Sequence, residues 1–301
     1  MDNVRIGTRT SALALWQAHW VKEALQNIGL SSLLVPINST GDTNLVDPLY
    51  EMGVTGVFTK ELDQALLNNE VDICVHSMKD VPTQLPKGIV LGFVPQRGAY
   101  DDVLVHPKID WADQNKRTVA TSSLRRQAQW LFAHRNDTVV PLRGNIQTRL
   151  NKITENQWDG AIFAKAGLQR LDIDPATYTP LDWMIPAPAQ GALMITIRED
   201  QPKLKSMIAS LSHKPTLRCV EIERAFLRAL QGGCSAPIGA FASLQNNTIH
   251  FTGCVTATDG SSHIEVRESY LANTPGIGDH AARILRSKGG EQVLEKINSH
   301  G

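Results

Sequence analysis

Arginine gathers in this chain where a strand gives way to a helix. In "ATSSLRRQAQWLFAHR" a strand ends near Ala120, Ser122 or Ser123 caps the helix that follows, and Arg125 and Arg126 fall in its first turn. Cations there oppose the positive end of the helix dipole by about 0.3–1 kcal/mol each. The same geometry brings free backbone N–H groups, serine hydroxyls and two guanidinium forks to one spot, which suits an anion. A lone Arg pair reads as a solvated helix end, but the arrangement recurs. "VVPLRGNIQTRL" places Arg143 at a second junction with Arg149 further in, and "VRIGTRTSALAL" places Arg9 and Ser11 at a third. Three such junctions describe a site for a ligand with several carboxylates or phosphates, and arginine in place of lysine favours bidentate carboxylate recognition.

Two further stretches carry reactive groups. In "VDICVHSMKDVP" a strand ends at His76, and Ser77, Lys79 and Asp80 occupy the turn before Pro82. Alone, Asp80 reads as a turn residue or a partner of Lys79, and His76 as a structural histidine. In a cleft lined with arginine, a lone carboxylate is the group able to stabilise a cationic intermediate or accept an N–H. In "ALQGGCSAPIGA" Cys234 sits on a loop between two glycines and a proline, where packing gives a thiol little. Four cysteines without a CxxC pair form neither a disulfide framework nor a zinc site. Cys234 is left as a nucleophile, an attachment point or an idle surface thiol. No metal is expected.

The elements that must position these groups alternate. "NVRIGT", "LLVPINS", "VDICVHS", "GIVLGFV", "DDVLVHP", "TVATS", "TVVPLRG" and "GAIFAKA" read as strands separated by amphipathic stretches. The first helix starts near Ser11, with Leu13, Trp16, Trp20 and Ala24 on one face. Such βαβ alternation indicates parallel or mixed sheets covered by helices, with ligands at the carboxyl ends of the strands. "YTPLDWMIPAPAQGALMITIRED" reads as a crossover back into the first sheet, making the first domain discontinuous. From Lys214 the style changes. A helix capped by Thr216 runs to Gly232-Gly233, a three-strand meander follows, and a helix spans about Gly278 to Ile297.

Composition removes whole classes of function. The 301 residues hold 30 Lys plus Arg against 30 Asp plus Glu, so no global charge points to nucleic acid or a membrane surface. Charge is instead local: six arginines lie between Arg117 and Arg149 against one acid, Asp137. No run approaches the roughly 18 apolar residues of a membrane span. The N-terminus lacks a signal-peptide layout, so a cytoplasmic location is expected. Neither GxxxxGK[ST] nor GxGxxG occurs, which leaves a nucleotide-phosphate loop unsupported.

The ordered set "RIGTRTSALALWQAH", "FTKELDQALL", "DICVHSMKDVP", "TSSLRRQ", "LRGNIQTRL", "AGLQRL", "PAPAQGA" and "QGGCSAPIG" closely resembles the porphobilinogen deaminase (hydroxymethylbilane synthase) family over nearly the whole chain, most weakly after about residue 245. The resemblance implies a transferase of tetrapyrrole (porphyrin, heme) biosynthesis. It would join four porphobilinogen units head to tail with loss of ammonia and release hydroxymethylbilane by hydrolysis. It implies an α/β fold of two periplasmic-binding-protein-like domains with mixed sheets plus a small α+β C-terminal domain. We place domain 1 at 1–97 and 190–211, domain 2 at 98–189, and domain 3 at 212–301, carrying the cofactor cysteine.

By the same resemblance Cys234 carries a dipyrromethane primer through a thioether, and Asp80 lies at the pyrrole nitrogens and stabilises the azafulvene cation formed on deamination. Ser77, Lys79, Thr121, Ser123, Arg125, Arg126 and Arg143 are implied as cofactor-binding residues. Arg9, Ser11, Ser122, Arg149 and Arg170 are implied for the acetate and propionate groups of the substrate. The family also implies a monomer whose partner is the small molecule porphobilinogen, with neither nucleic acid nor membrane involved. A general-acid role for Asp80 toward the departing amine would need a raised pKa.

The chain departs from the family pattern in places. Ala12 stands where proline is frequent, and Ala120 and Ala189 stand where glycine is common. The loop usually reading GGKG is Gly53-Val54-Thr55-Gly56 here, without its lysine. The alternative from another class is a non-catalytic polycarboxylate-binding protein of periplasmic-binding type. A cysteine-nucleophile hydrolase lacks a recognisable His/Asp partner pattern. His19, Cys74, Cys219 and Cys254 read as structural.

Overall fold

The computed structural model describes residues 3–38, 59–107, 116–174, 178–231 and 236–299. Its strands form three sheets. The first has the order β2-β1-β3-β10-β4, built from β1 (Val4–Arg9), β2 (Ser32–Ile37), β3 (Ile73–Ser77), β4 (Ile89–Phe93) and β10 (Leu193–Arg198). The second has the order β7-β6-β8-β5-β9, from β5 (Asp102–Val105), β6 (Thr118–Ala120), β7 (Thr138–Val140), β8 (Gly160–Ala164) and β9 (Tyr178–Pro180). In both, three strands run parallel and the fourth is antiparallel to its two neighbours. The third sheet is an antiparallel meander of β11 (Ile238–Gln245), β12 (Thr248–Thr256) and β13 (His263–Leu271). The class is α/β with mixed sheets, joined to a smaller α+β unit.

The helices follow from patterning, with instructive exceptions. Helix α1 (Ala12–Asn27) is capped by the Ser11 hydroxyl, which accepts from Ala14 N at 3.4 Å. Its buried face is Ala14, Gln17, Ala18, Val21 and Leu25, not the expected Leu13, Trp16, Trp20 and Ala24. The small Ala14 and Ala18 let the helix lie close on the sheet, while the indoles are too bulky for that contact. Trp16 and Trp20 stay 38% and 36% exposed. Helix α2 (Lys60–Leu67) covers β1 and β3 with Leu62, Ala65 and Leu66.

In the second unit α3 (Leu124–Ala133), α4 (Ile146–Glu155) and α5 (Lys165–Gln169) each leave the carboxyl end of a strand. Helix α6 (Pro202–Ile208) follows β10 and closes the first core with Leu204 and Ile208. Helix α7 (Lys214–Ala229) buries Cys219, Ile222, Glu223 and Phe226, the stripe expected of an amphipathic helix. It is capped by His213, not Thr216: His213 Nδ1 accepts from Thr216 N at 3.3 Å, and Pro215 sits in the first turn. The expected single C-terminal helix is two, α8 (Ile277–Leu285) and α9 (Glu291–Ser299). They are broken at Gly289, whose φ of 104° is open to glycine and strained for other residues.

Two segments cross between the first and second sheets, one after β4 and one before β10. They touch where Gly98 N donates to Gly191 O at 3.2 Å. Gly191 has φ 84°, and a Cβ there would run into the Ala99 carbonyl, so the close crossing requires glycine. Among the described residues no helix is long and apolar enough to cross a membrane.

Candidate active site

The candidate site is built from strand ends of both large sheets. Arg9 closes β1, Ser77 closes β3, Thr121 follows β6, and Arg143 lies in the turn after β7. Beyond Ser77 the chain makes one 3-10 turn, Met78–Asp80, which lifts Lys79 and Asp80 out of the sheet. Ser77 Oγ accepts from the buried Gln17 Nε2 at 2.9 Å, tying the turn to α1. The serines after β6 act locally as the sequence suggests. Ser123 caps α3 by accepting from Arg126 N at 3.5 Å, and Ser122 Oγ accepts from Leu142 N at 2.8 Å. Thr121 Oγ1 accepts from Ser123 N at 3.2 Å.

The charges interact as one group. Burial lowers the Arg149 guanidinium to about 10, helped by the fields of Arg126, Arg143 and Arg9 and opposed by Asp80. Burial likewise lowers Lys79 to about 8, against the nearby Asp80 carboxylate. Lys79 Nζ donates to Gln190 Oε1 at 3.3 Å. Arg149 Nε donates to Gly144 O at 2.6 Å, keeping its side chain back against its own turn. Arg9, Lys79, Arg126, Arg143 and Arg149 thus share one electrostatic neighbourhood that includes Asp80.

Arg125 and Arg126 are placed differently from a pair reaching into solvent. Both grip Asp102, a fully buried carboxylate at the start of β5. Arg125 Nη1 lies 2.6 Å from Oδ2, and Arg126 Nε and Nη2 lie 2.9 and 2.8 Å from Oδ1. Arg125 also donates to Ile185 O and Arg126 to Ile162 O, each at 2.8 Å. Burial alone would raise the Asp102 carboxyl, but the two guanidinium groups overcome that and hold it well below the usual carboxylate range. Asp102 is therefore ionised at any physiological pH and orients the arginine pair from behind. Gln190 Nε2 completes the carboxylate's shell at 3.0 Å.

Arg170 stands apart from the cluster. It donates to Gly191 O at 2.9 Å and lies over the Trp16 ring at 5.6 Å, and burial lowers it to about 10. It spans from the second unit to α1 and the crossing. His76 is buried, with Nε2 3.1 Å from Thr196 Oγ1, and burial beside Arg9 pushes it down to about 4. It is a neutral structural histidine. Cys74, Cys219 and Cys254 are buried, and burial raises each thiol, Cys219 to about 11 and Cys254 to about 12. His19 lies exposed on α1. Cys234 and the loop at 53–56 lie outside the described residues. Among the described residues no cluster of His, Cys, Asp or Glu could hold a metal.

The residues that sequence reasoning missed hold this site from behind. Gln190 sits on the second crossing and touches Lys79, Asp102 and the Tyr100 carbonyl. Glu223, fully buried on α7, accepts from Arg97 on the first crossing, Ala189 N on the second and Ala242 N on β11. One signal existed for Glu223: it falls on the apolar stripe of α7, where an acid must find partners.

Residues 4–206 match the porphobilinogen deaminase, dipyromethane cofactor binding domain, and residues 217–282 match the porphobilinogen deaminase C-terminal domain. The chain belongs to the porphobilinogen deaminase family. It is 41% identical to the porphobilinogen deaminase of Syntrophotalea carbinolica, covering 98% of this chain and 96% of that one. It is 40% identical to that of Geotalea uraniireducens, covering 99% and 95%. Among solved structures, the methionine binding protein MetQ is similar at a TM-score of 0.44 and 14% identity, over 69% of this chain and 89% of that one. For a porphobilinogen deaminase, the cofactor to be tested against the site is a dipyrromethane bearing acetate and propionate groups. The donor set fits such a polyanion. Lys79, Arg126 and Arg149 each interact with the Asp80 carboxylate, and burial together with the fields of Arg126, Arg143 and Arg9 lowers Arg149. A polycarboxylate placed here would offset the mutual repulsion of these cations.

Proposed function

We propose that the protein is a hydroxymethylbilane synthase, polymerising four porphobilinogen units head to tail with loss of ammonia and releasing hydroxymethylbilane by hydrolysis. The observation that carries this is that Lys79, Arg126 and Arg149 interact with one carboxylate, Asp80, while Arg9 and Arg143 act on Arg149, all near strand ends of two sheets. Each porphobilinogen unit brings two carboxylates, so a growing chain accumulates the charge these cations neutralise. The dipyrromethane, attached through Cys234, supplies the fixed end on which the chain grows. Ser77, Lys79, Thr121, Ser123, Arg125, Arg126 and Arg143 hold its carboxylates. Arg9, Ser11, Ser122, Arg149 and Arg170 serve the incoming unit.

Asp80 supplies negative charge where positive charge develops on the substrate as ammonia leaves. A half-buried carboxylate on a short rigid turn does this without reorganising water. His76, neutral to about pH 4, adds no competing positive charge beside it. The three units are assigned to 1–97 with 190–211, 98–189, and 212–301, and the working form is a cytoplasmic monomer that uses neither nucleic acid nor membrane.

Two measurements test the reading. Intact mass of protein made in cells should show a two-pyrrole adduct that is absent from C234S; an unmodified parent mass would count against it. D80N should retain carboxylate-ligand binding while turnover collapses, and near-normal turnover would remove Asp80 from the chemistry. A binding protein without catalysis would show neither the adduct nor turnover.

A further inference from the structure

Arg224 lies on α7 in the third unit, yet its guanidinium is spent on the first. Nη1 donates to Val81 O at 2.8 Å and to Met78 O at 3.3 Å, and Nη2 donates to Pro82 O at 2.6 Å. These carbonyls bracket Lys79 and Asp80, one just before the pair and two just after. The side chain is buried, so these bonds are not competing with bulk water. Docking two units would need only apolar surface here. A guanidinium is costly to bury, and its fixed fork suits three convergent acceptors better than any other side chain.

The turn is pinned from the opposite side as well, where Met78 N donates to Ala192 O at 3.0 Å on the second crossing. The residues flanking Lys79 and Asp80 are thus held by two partners, one on the crossing and one on α7. The same helix leads to Cys234, ten residues after Arg224.

We propose that Arg224 is a positioning residue for the transferase reaction, holding the Lys79–Asp80 turn in register with the helix that leads to the attachment cysteine. This rests on the reading of Asp80 given above. Arg224 touches no reacting atom; it acts through the placement of the Asp80 carboxylate. Displacement of a reacting group by about 1 Å can cost about a hundredfold in rate. Loss of Arg224 therefore acts on kcat and spares KM, because the arginines that bind carboxylates are untouched.

The test uses the cofactor-loaded enzyme with porphobilinogen as substrate. R224Q is expected to lower kcat by about tenfold to a hundredfold with KM within about twofold and the adduct mass retained. R224K, which keeps one charged donor for three acceptors, should recover part of the loss. D80E already misplaces the carboxylate by one methylene, so D80E with R224Q should be little slower than D80E alone. Parent-like kcat in R224Q, or losses that multiply independently with D80E, would overturn the proposal. Should R224Q not fold, R224K alone decides: lowered kcat at unchanged KM supports it, and parent-like kcat overturns it. An inactive D80N beside a normal R224Q defeats this inference alone. A near-normal D80N defeats the Asp80 reading, and this inference with it.

Discussion

Arg97 and Glu223 meet through both guanidinium nitrogens, Nη1 2.6 Å from Oε1 and Nη2 3.1 Å from Oε2, across 126 residues of sequence. The carboxylate is fully buried and also takes Ala189 N at 2.6 Å and Ala242 N at 2.8 Å, so four donors share it. Removing Glu223 strands two guanidinium nitrogens and two backbone N–H groups, whereas removing Arg97 frees Gln190 O and leaves the acid its two N–H donors. E223A should therefore lose more stability than R97A, with E223A costing about 3–5 kcal/mol. Denaturant melts of both variants and the double variant check this. Equal losses, or strictly additive ones, would contradict the shared shell.

Asp102 predicts a second stability effect, this time within the site. D102N leaves Arg125 and Arg126 buried side by side without their counter-charge, at a cost of about 3–5 kcal/mol. The variant should also bind polycarboxylates with altered affinity, since the arginine forks lose the partner that orients them. Unfolding curves and ligand titration read the two consequences separately. A stability change under about 1 kcal/mol would show that the pair does not depend on Asp102.

His76 sets a pH dependence whose sign is definite. Its imidazole falls to about 4 in the fold and lies near 6.5 in the unfolded chain. Between these values the unfolded chain binds the extra proton, so stability drops as pH falls from about 6.5 toward about 4. The contribution is about 3 kcal/mol at its limit. H76Q should flatten this part of the stability profile, while an unchanged slope would assign it to other groups.

Lys79 titrates on the other side of neutrality, at about 8. Below that pH it is a cation facing the carboxylate-binding cluster, and above it the charge is lost. Affinity for a polycarboxylate should fall as pH rises through about 8 in the parent protein and show no such step in K79Q. Calorimetric titration from pH 7 to about 9 decides it, and a parent curve flat across that range would contradict the assignment.

Reading the sequence located the cations better than it located what holds them. Arg9 and Arg143 are legible because each falls at a strand-to-helix junction, a local feature, and Arg149 because it lies in the first turns of the helix that follows one. The role of Asp102 is not: it lies in "DDVLVHP", which reads as a strand, and its partners lie 23 and 24 residues away on another element. Gln190 and Arg224 are harder still, since their partners come from segments 88 to 146 residues distant. The strands were legible from apolar runs. The α1 face was misread because the tryptophans outweigh alanines in any apolar pattern, although the alanines make the close packing. Thr216 reads as a helix cap because hydroxyls usually cap, but the His213 imidazole three residues earlier does so, and the Thr216 hydroxyl oxygen accepts from Arg97 N.

The two crossing segments have a mechanical consequence. Each leads directly to a strand one place in from the edge of its sheet, β5 between β8 and β9 and β10 between β3 and β4. Sliding one sheet past the other would tear such a strand from ladders on both sides. Twisting the pair of crossings where Gly98 meets Gly191 disturbs neither ladder. Shear between the two sheets is therefore the costly deformation, and rotation at the Gly98–Gly191 contact is the one that leaves both ladders whole.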